Sequence, residues 1–107
     1  MKPQTDIKLK FGDGKSGLCW NPNNQKKTVK IILPNKYTTK IRKIEAWKGD
    51  EYFDTLKNAV GNEYGNRERY YGSKKVAKYP KNLTIFVFLR SGKIASVTIK
   101  DPSHRYD

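Results

Sequence analysis

The sequence LTIFVFLRSGKIASVTI, residues 83–99, carries the strongest tertiary signal in this chain of 107 residues. Its first half is apolar on both faces of a two-residue period, which predicts a strand covered on each side. Ser91-Gly92 is a turn dipeptide, and apolar Ala95, Val97 and Ile99 then alternate with polar residues. We therefore predict an antiparallel hairpin in the middle of a sheet.

Earlier parts of the chain also predict strands. Apolar residues alternate with lysines over residues 7–11, so a strand there would have one apolar and one basic face. Residues 29–33 and 37–47 are rich in β-branched side chains, and the turn dipeptide Pro34-Asn35 separates them. These two stretches predict a long, basic β-hairpin.

One helix is predicted in the middle of the chain. Asp50 can cap its first turn, Phe53, Leu56 and Val60 follow at helical spacing, and Gly61 suits a helix end. The residues between this helix and the carboxyl-terminal hairpin are mostly polar and basic. They predict no regular element.

Length and pattern together predict an α+β fold. The chain is long enough for one core, so we expect a single domain over residues 1–107. That domain would have an antiparallel sheet of about five strands with one main helix packed on a face. The single cysteine, Cys19, excludes an internal disulfide framework and a zinc site built from several cysteines.

The charge of the chain points to a polyanionic partner. It has 23 Lys and Arg against 10 Asp and Glu, a formal net charge of +13 that exceeds what solubility requires. Nucleic acid is the natural polyanion, and RNA is favoured. Because no apolar run is long enough for a membrane span and no signal peptide is recognisable, we expect no membrane partner and a cytoplasmic location.

The segment 64–79 interleaves tyrosines with arginines and lysines. Aromatic faces stack on unpaired bases and cations neutralise phosphates, so this mixture is typical of proteins that bind single-stranded nucleic acid. A solvated loop whose tyrosines pack on the sheet is an equally good interpretation. The predicted nucleic-acid-binding residues are Lys8, Lys10, Lys40, Arg42, Arg67, Arg69, Tyr70, Tyr71, Lys74, Lys75, Arg90 and Arg105.

Proton chemistry near neutral pH has one imidazole candidate, His104. In RNA cleavage a base removes the 2′-hydroxyl proton, and cations stabilise the charged phosphate transition state. The predicted catalytic set is therefore His104 with Arg67, Arg69 and Tyr71, although an exposed tail residue is the plainer interpretation of His104. The acidic residues show no paired pattern at ligand spacing, so neither a metal site nor a cofactor is predicted.

The pattern Tyr71-Gly72-Ser73, followed by the hairpin 85–99 through Arg90-Ser91-Gly92-Lys93, resembles the cytotoxic ribonuclease domains of bacteriocins and contact-dependent inhibition toxins. The resemblance covers the carboxyl-terminal part of the chain. It implies a helical amino-terminal part packed on an antiparallel sheet and RNA cleavage without a metal. It also implies an acidic inhibitor or immunity protein as partner, and it assigns no catalytic residue.

Three classes of function therefore stay open. The most concrete is a small, metal-independent ribonuclease of the toxin type. The second is a non-catalytic RNA- or DNA-binding protein of phage or ribosome-associated kind. The third is a basic protein-interaction module that docks on an acidic partner.

Overall fold

The computed structural model describes residues 1–9, 19–20, 28–34, 40–64, 67–76 and 81–99, and these residues form eight strands and no α-helix. The strands are β1 (Ile7–Lys8), β2 (Cys19–Trp20), β3 (Thr28–Pro34), β4 (Ile41–Lys48), β5 (Glu51–Tyr64), β6 (Arg67–Lys75), β7 (Leu83–Leu89) and β8 (Ile94–Ile99). The predicted α+β fold with one main helix on a sheet is therefore wrong. The described part of the chain is an all-β structure.

The eight strands belong to one sheet, in the order β1-β8-β7-β4-β5-β6-β3-β2. β1 pairs with β8 in parallel, and the other neighbouring pairs are antiparallel. The sheet curls into a half-barrel, because the twist of successive strands has one hand and accumulates across the sheet. No helix in the described ranges is long and apolar enough to cross a membrane.

One side of the sheet, the core face, carries a continuous hydrophobic cluster. Its buried members come from β3 through β8: Val29, Ile31, Leu33, Ile44, Ala46, Leu56, Tyr70, Leu83, Ile85, Val87, Ala95, Val97 and Ile99. Burying a large aliphatic side chain contributes ~1.5 to 3 kcal/mol, so this cluster is the main source of stability among the described residues. We call the opposite side the outer face.

The predicted carboxyl-terminal hairpin is confirmed. β7 and β8 pair from Leu83 with Ile99 to Phe88 with Ile94. β7 also pairs with β4, so it lies inside the sheet, and both of its faces are buried. Val87 points into the core face, whereas Phe86 belongs to a smaller cluster on the outer face.

The predicted helix after Asp50 is instead the start of β5. Gly49, with a φ of 61°, forms the turn between β4 and β5, and glycine adopts that left-handed conformation at little cost. Leu56 then pairs with Ile44 across the hairpin. A register shift near Trp47 lets Phe53 also pack on the core face, so a strand with a bulge satisfies the same apolar spacing as a helix.

The predicted hairpin between residues 29–33 and 37–47 is also wrong. β3 pairs with β2 and β6, whereas β4 pairs with β5 and β7. The second of these partners, β6, is formed by residues 67–75. The sequence predicts no regular element there, because the polar side chains hide the strand pattern. In the sheet, Tyr70 lies opposite Ile31 and points into the core.

Candidate nucleic-acid interface

The outer face combines aromatic, hydroxyl and cationic side chains over neighbouring strands. The strand register places the following residues on it: Ser96 and Thr98 of β8, Thr84, Phe86 and Phe88 of β7, Lys43, Glu45 and Trp47 of β4, Tyr52, Thr55 and Lys57 of β5, and Tyr71 of β6. Most of these side chains are polar, and the described part of the outer face has no continuous apolar cluster like that of the core face. It is therefore the face on which a polar ligand would be expected.

An aromatic row crosses the outer face. The ring of Trp47 meets Phe86 edge-on at a centroid distance of 6.4 Å, and it meets Tyr52 in the same way at 6.0 Å. Such edge-to-face contacts are favourable because the positive ring edge meets the negative ring face. Trp47 Nε1 also donates a hydrogen bond of 3.1 Å to Glu45 Oε1. The row ends in Tyr52, which is 52% exposed and whose ring is restrained by its contact with Trp47.

A groove opens between β5 and β6 next to the exposed end of this row. Its volume is about 560 Å³, and it is lined by Tyr52, Asp54, Thr55, Lys57, Asn58, Tyr71, Gly72 and Ser73. The hydroxyl group of Tyr52 is hydrogen-bonded to that of Thr55. Lys30 Nζ lies 5.9 Å from the centroid of the Tyr71 ring, within the range of a cation–π interaction. We call this feature the tyrosine groove.

Asp54 shapes the floor of the tyrosine groove. Its Oδ2 accepts a hydrogen bond of 2.8 Å from the backbone N–H of Lys74, and its Oδ1 accepts bonds from Ser73 Oγ and the N–H of Thr55. The backbone pairing between β5 and β6 ends, on this side, at Leu56 and Gly72. Beyond that pair, the Asp54 carboxylate replaces a backbone carbonyl group as the acceptor for the N–H of Lys74. The side chain therefore joins two strands where their backbones separate.

Gly72 is required by that arrangement. A Cβ atom at this position would overlap Oδ2 of Asp54, with the Cγ of the same carboxylate at 3.0 Å. Because Asp54 is buried and held by three donors, it has little freedom to withdraw. The close approach of carboxylate and backbone is possible only with glycine.

Two cations cover an aromatic ring at the far end of β7. Lys43 Nζ lies 4.5 Å and Arg42 Cζ lies 5.8 Å from the centroid of Phe88. Lys43 also forms an ion pair of 3.2 Å with Glu45. These contacts explain why Phe88 is buried although it lies on the outer face, and they keep positive charge beside the aromatic row.

The structure brings several predicted binding residues to the surface. Lys8, Lys40, Arg42, Lys74, Lys75 and Arg90 are exposed. Lys40 and Arg90 meet at one end of the sheet, where the N–H of Arg90 donates a hydrogen bond of 2.8 Å to the Lys40 carbonyl oxygen. Lys74 Nζ lies 4.6 Å from the ring of Phe53. These cations are spread over the sheet and do not form one cluster.

The two adjacent tyrosines of the predicted site point to opposite faces. Tyr71 is half-buried in the tyrosine groove, but Tyr70 is only 6% exposed and belongs to the core. Strand geometry requires this separation because successive side chains alternate between faces. Arg67 and Arg69 lie in β6, where their Cα atoms pair with Pro34 and Ile32. Lys10, His104 and Arg105 lie outside the described residues.

Other groove residues did not emerge from the sequence. Tyr52, Thr55 and Lys57 lie in the segment predicted to be a helix, so their common face could not be recognised. Gly49-Asp50 between two stretches of strand-forming residues is a hairpin signal that would have found them. The described residues contain no group of three or more His, Cys, Asp or Glu side chains that could hold a metal ion.

Comparison with known protein families, with characterised proteins and with solved structures finds no match to this chain. No family assignment follows. The resemblance to cytotoxic ribonuclease domains stays a prediction, and so does the immunity protein that it implies.

Proposed function

We propose that this protein binds single-stranded RNA on its outer face, with a base stacked in the tyrosine groove. One observation carries the proposal: Tyr52 and Tyr71 line the same groove from two neighbouring strands, together with Lys57. Sequence-tolerant binding of single strands combines such aromatic rings with cations that follow the backbone. The formal net charge of +13 supports a polyanionic ligand.

The tyrosine groove is large enough for a nucleobase, and one of its aromatic rings is restrained before a base binds. Its volume of about 560 Å³ lies within the range of sites that hold small molecules, and a nucleobase is smaller than most of these. The contact with Trp47 restrains the Tyr52 ring before a ligand arrives. A restrained ring loses little conformational entropy on binding, so more of the stacking energy contributes to affinity.

Removing the groove tyrosines tests the proposal directly. Tyr52→Ala and Tyr71→Ala are each expected to weaken binding of a fluorescein-labelled single-stranded RNA by ~1 to 3 kcal/mol, the usual contribution of a stacked base. The measurement is fluorescence anisotropy at one fixed salt concentration. Tyr52→Phe and Tyr71→Phe are the matched controls, because they keep the ring and should keep most of the affinity.

Wild-type affinity in both alanine variants would contradict the proposed stacking site. Duplex RNA that binds as tightly as the single strand would contradict it too, since paired bases do not expose their faces. The same assay with single-stranded DNA decides between the two nucleic acids, because only RNA offers the 2′-hydroxyl group.

Salt dependence gives a second test. The logarithm of the binding constant should fall linearly with the logarithm of the salt concentration, with a slope of ~0.7 for each phosphate neutralised on a single strand. Anisotropy titrations at several concentrations of NaCl measure that slope. A flat response would exclude contacts between the protein and phosphates, and with them the role of the positive charge.

The predicted ribonuclease activity needs a test of its own. Tyr71 lines the groove, but His104 lies outside the described residues and the side chains of Arg67 and Arg69 are not described. Incubation of the protein with labelled RNA in excess chelator measures metal-independent cleavage. If cleavage occurs, His104→Ala should abolish it while binding persists. Binding without cleavage would leave the protein an RNA-binding protein.

A further inference from the structure

A second groove lies on the same outer face, between the amino-terminal segment and strands β7 and β8. Its volume is about 330 Å³. The residues that determine its chemistry are Lys2, Thr5, Lys8, Thr84, Ser96 and Thr98. We call it the hydroxyl groove. Its lining contains two cations and four hydroxyl groups and no carboxylate.

The hydroxyl groups are paired with one another. Thr5 Oγ1 and Ser96 Oγ are 2.7 Å apart, and Thr84 Oγ1 and Thr98 Oγ1 are 3.1 Å apart. Each hydroxyl has one proton to donate, and a hydrogen bond between two hydroxyls uses only one of the two protons. Each pair therefore retains one O–H that can donate to an anion in the groove.

The position of Lys8 is set by the parallel pairing of β1 with β8. Ile7 lies opposite Ala95 and Lys8 opposite Ser96, so the lysine shares the outer face with that serine. The N–H of Leu9 donates a hydrogen bond of 2.7 Å to the carbonyl oxygen of Ser96, while the Leu9 side chain packs on the core face. The backbone beside Lys8 is thus anchored.

The nearby acid does not face this groove. Asp6 Oδ2 accepts a hydrogen bond of 2.8 Å from the N–H of Ile94, and Asp6 is not among the lining residues. Two lysines and two donor pairs without a carboxylate are suited to a phosphate group, which accepts hydrogen bonds and carries negative charge.

The two grooves lie in line across the strands. The hydroxyl groove is centred on β8, because its lining comes from the amino-terminal segment on one side and from β7 on the other. The tyrosine groove lies between β5 and β6, so β7 and β4 separate the two grooves. With neighbouring strands ~4.8 Å apart, about three and a half strand spacings separate the two centres by ~17 Å along the sheet. The exposed Tyr52 ring and the buried Trp47 lie between the centres.

We infer that the hydroxyl groove binds a phosphate group of the same strand whose base stacks in the tyrosine groove. The RNA would then cross the outer face at a steep angle to the β-strands, from β6 to β8. This inference rests on the proposed function, because it extends the path of the same ligand. The chemistry recognised in the second groove is phosphate, whether it belongs to an RNA backbone or is free in solution.

The test compares two lysine variants of equal charge. Lys8→Gln should reduce the salt slope for a labelled twelve-nucleotide single-stranded RNA by ~0.7, the value for one lost phosphate contact. Lys93→Gln is the matched control, because Lys93 is exposed just before β8 and does not line either groove. It should leave the slope unchanged. A trinucleotide, too short to span both grooves, should bind equally to wild type and Lys8→Gln.

The hydroxyl pair is tested separately. The double variant Thr84→Val/Thr98→Val removes both partners of one pair and keeps the β-branched shape, so circular dichroism should show a native sheet. Its affinity for the twelve-nucleotide RNA should fall several-fold, and its affinity for the trinucleotide should not. In wild type, titration with inorganic phosphate should shift the amide NMR signals of Thr84, Ser96 and Thr98 saturably.

The outcomes separate the two proposals. If the tyrosine variants lose RNA affinity but Lys8→Gln matches Lys93→Gln in slope, the inference is overturned and the proposed function stands. If wild type binds no RNA, both are overturned, even where inorganic phosphate shifts the three amides. A salt slope that is reduced by ~0.7 in Lys8→Gln and unchanged in Lys93→Gln, together with the phosphate-induced shifts, supports the inferred path.

Discussion

The Val87→Asp variant is expected to be unfolded at room temperature. Val87 is 1% exposed and lies in the central strand β7, with Ile44 and Ala95 as its neighbours in the register and the core cluster around it. Neither Ile44 nor Ala95 can pair with a carboxylate. An unpaired charge in such a site costs more than 4 to 5 kcal/mol, which is roughly the whole stability of a small domain. Thermal denaturation followed by circular dichroism measures the effect.

The control for this variant is Lys8→Asp. Lys8 is exposed on the edge strand β1, so a carboxylate there stays in water and the cooperative unfolding transition should be retained. Similar melting temperatures for the two variants would show that β7 is not the central, doubly covered strand described above.

The contact between Asp54 and Gly72 should dominate the stability of the tyrosine groove. Asp54→Ala leaves the backbone N–H of Lys74 and two further donors without their acceptor, at an expected cost of about 2 to 4 kcal/mol. Gly72→Ala should cost ~1 to 3 kcal/mol, because the added methyl group overlaps the carboxylate. Urea denaturation gives both free energies of unfolding.

A double-mutant cycle shows whether these two effects share one cause. In the Asp54→Ala background the overlap no longer exists, so Gly72→Ala should cost much less than it does in wild type, with a coupling of ~0.5 to 3 kcal/mol. Gly92→Ala is the matched control. Its φ of 97° makes any side chain strained, but no atom lies within 4 Å of the added carbon, so its cost should be the same with and without Asp54→Ala. Additive effects for Asp54 and Gly72 would contradict the described contact.

The sequence by itself determined the parts of this protein that depend on neighbouring residues. The run from Leu83 to Leu89 is apolar on both faces, and it forms a strand with partners on both edges and both faces covered. The alternation around Lys8 is confirmed in part: Lys8 shares a face with Ser96 and Leu9 packs on the core, but Ile7 is exposed and Phe11 lies outside the described residues. Local alternation and a two-residue turn suffice for such elements.

Only the tertiary structure decided the role of residues 50–60. The spacing of Phe53, Leu56 and Val60 fits one face of a helix, but Phe53 and Leu56 both reach the core face from a strand that contains a bulge. The long pairing of β5 with β4 and β6 favours the strand. The preference for a strand depends on partners more than on the residues themselves, so it cannot be determined from the segment alone.

The tyrosine groove depends on tertiary structure for the same reason. Asp54 and Lys74 are 20 positions apart in the chain, and Tyr52 and Tyr71 reach one groove only because β5 and β6 are neighbours in the sheet. Composition indicated a basic and tyrosine-rich protein, but side-chain direction separated Tyr71 from Tyr70. Which tyrosine faces a ligand is set by strand register, and register is decided by pairing between distant parts of the chain.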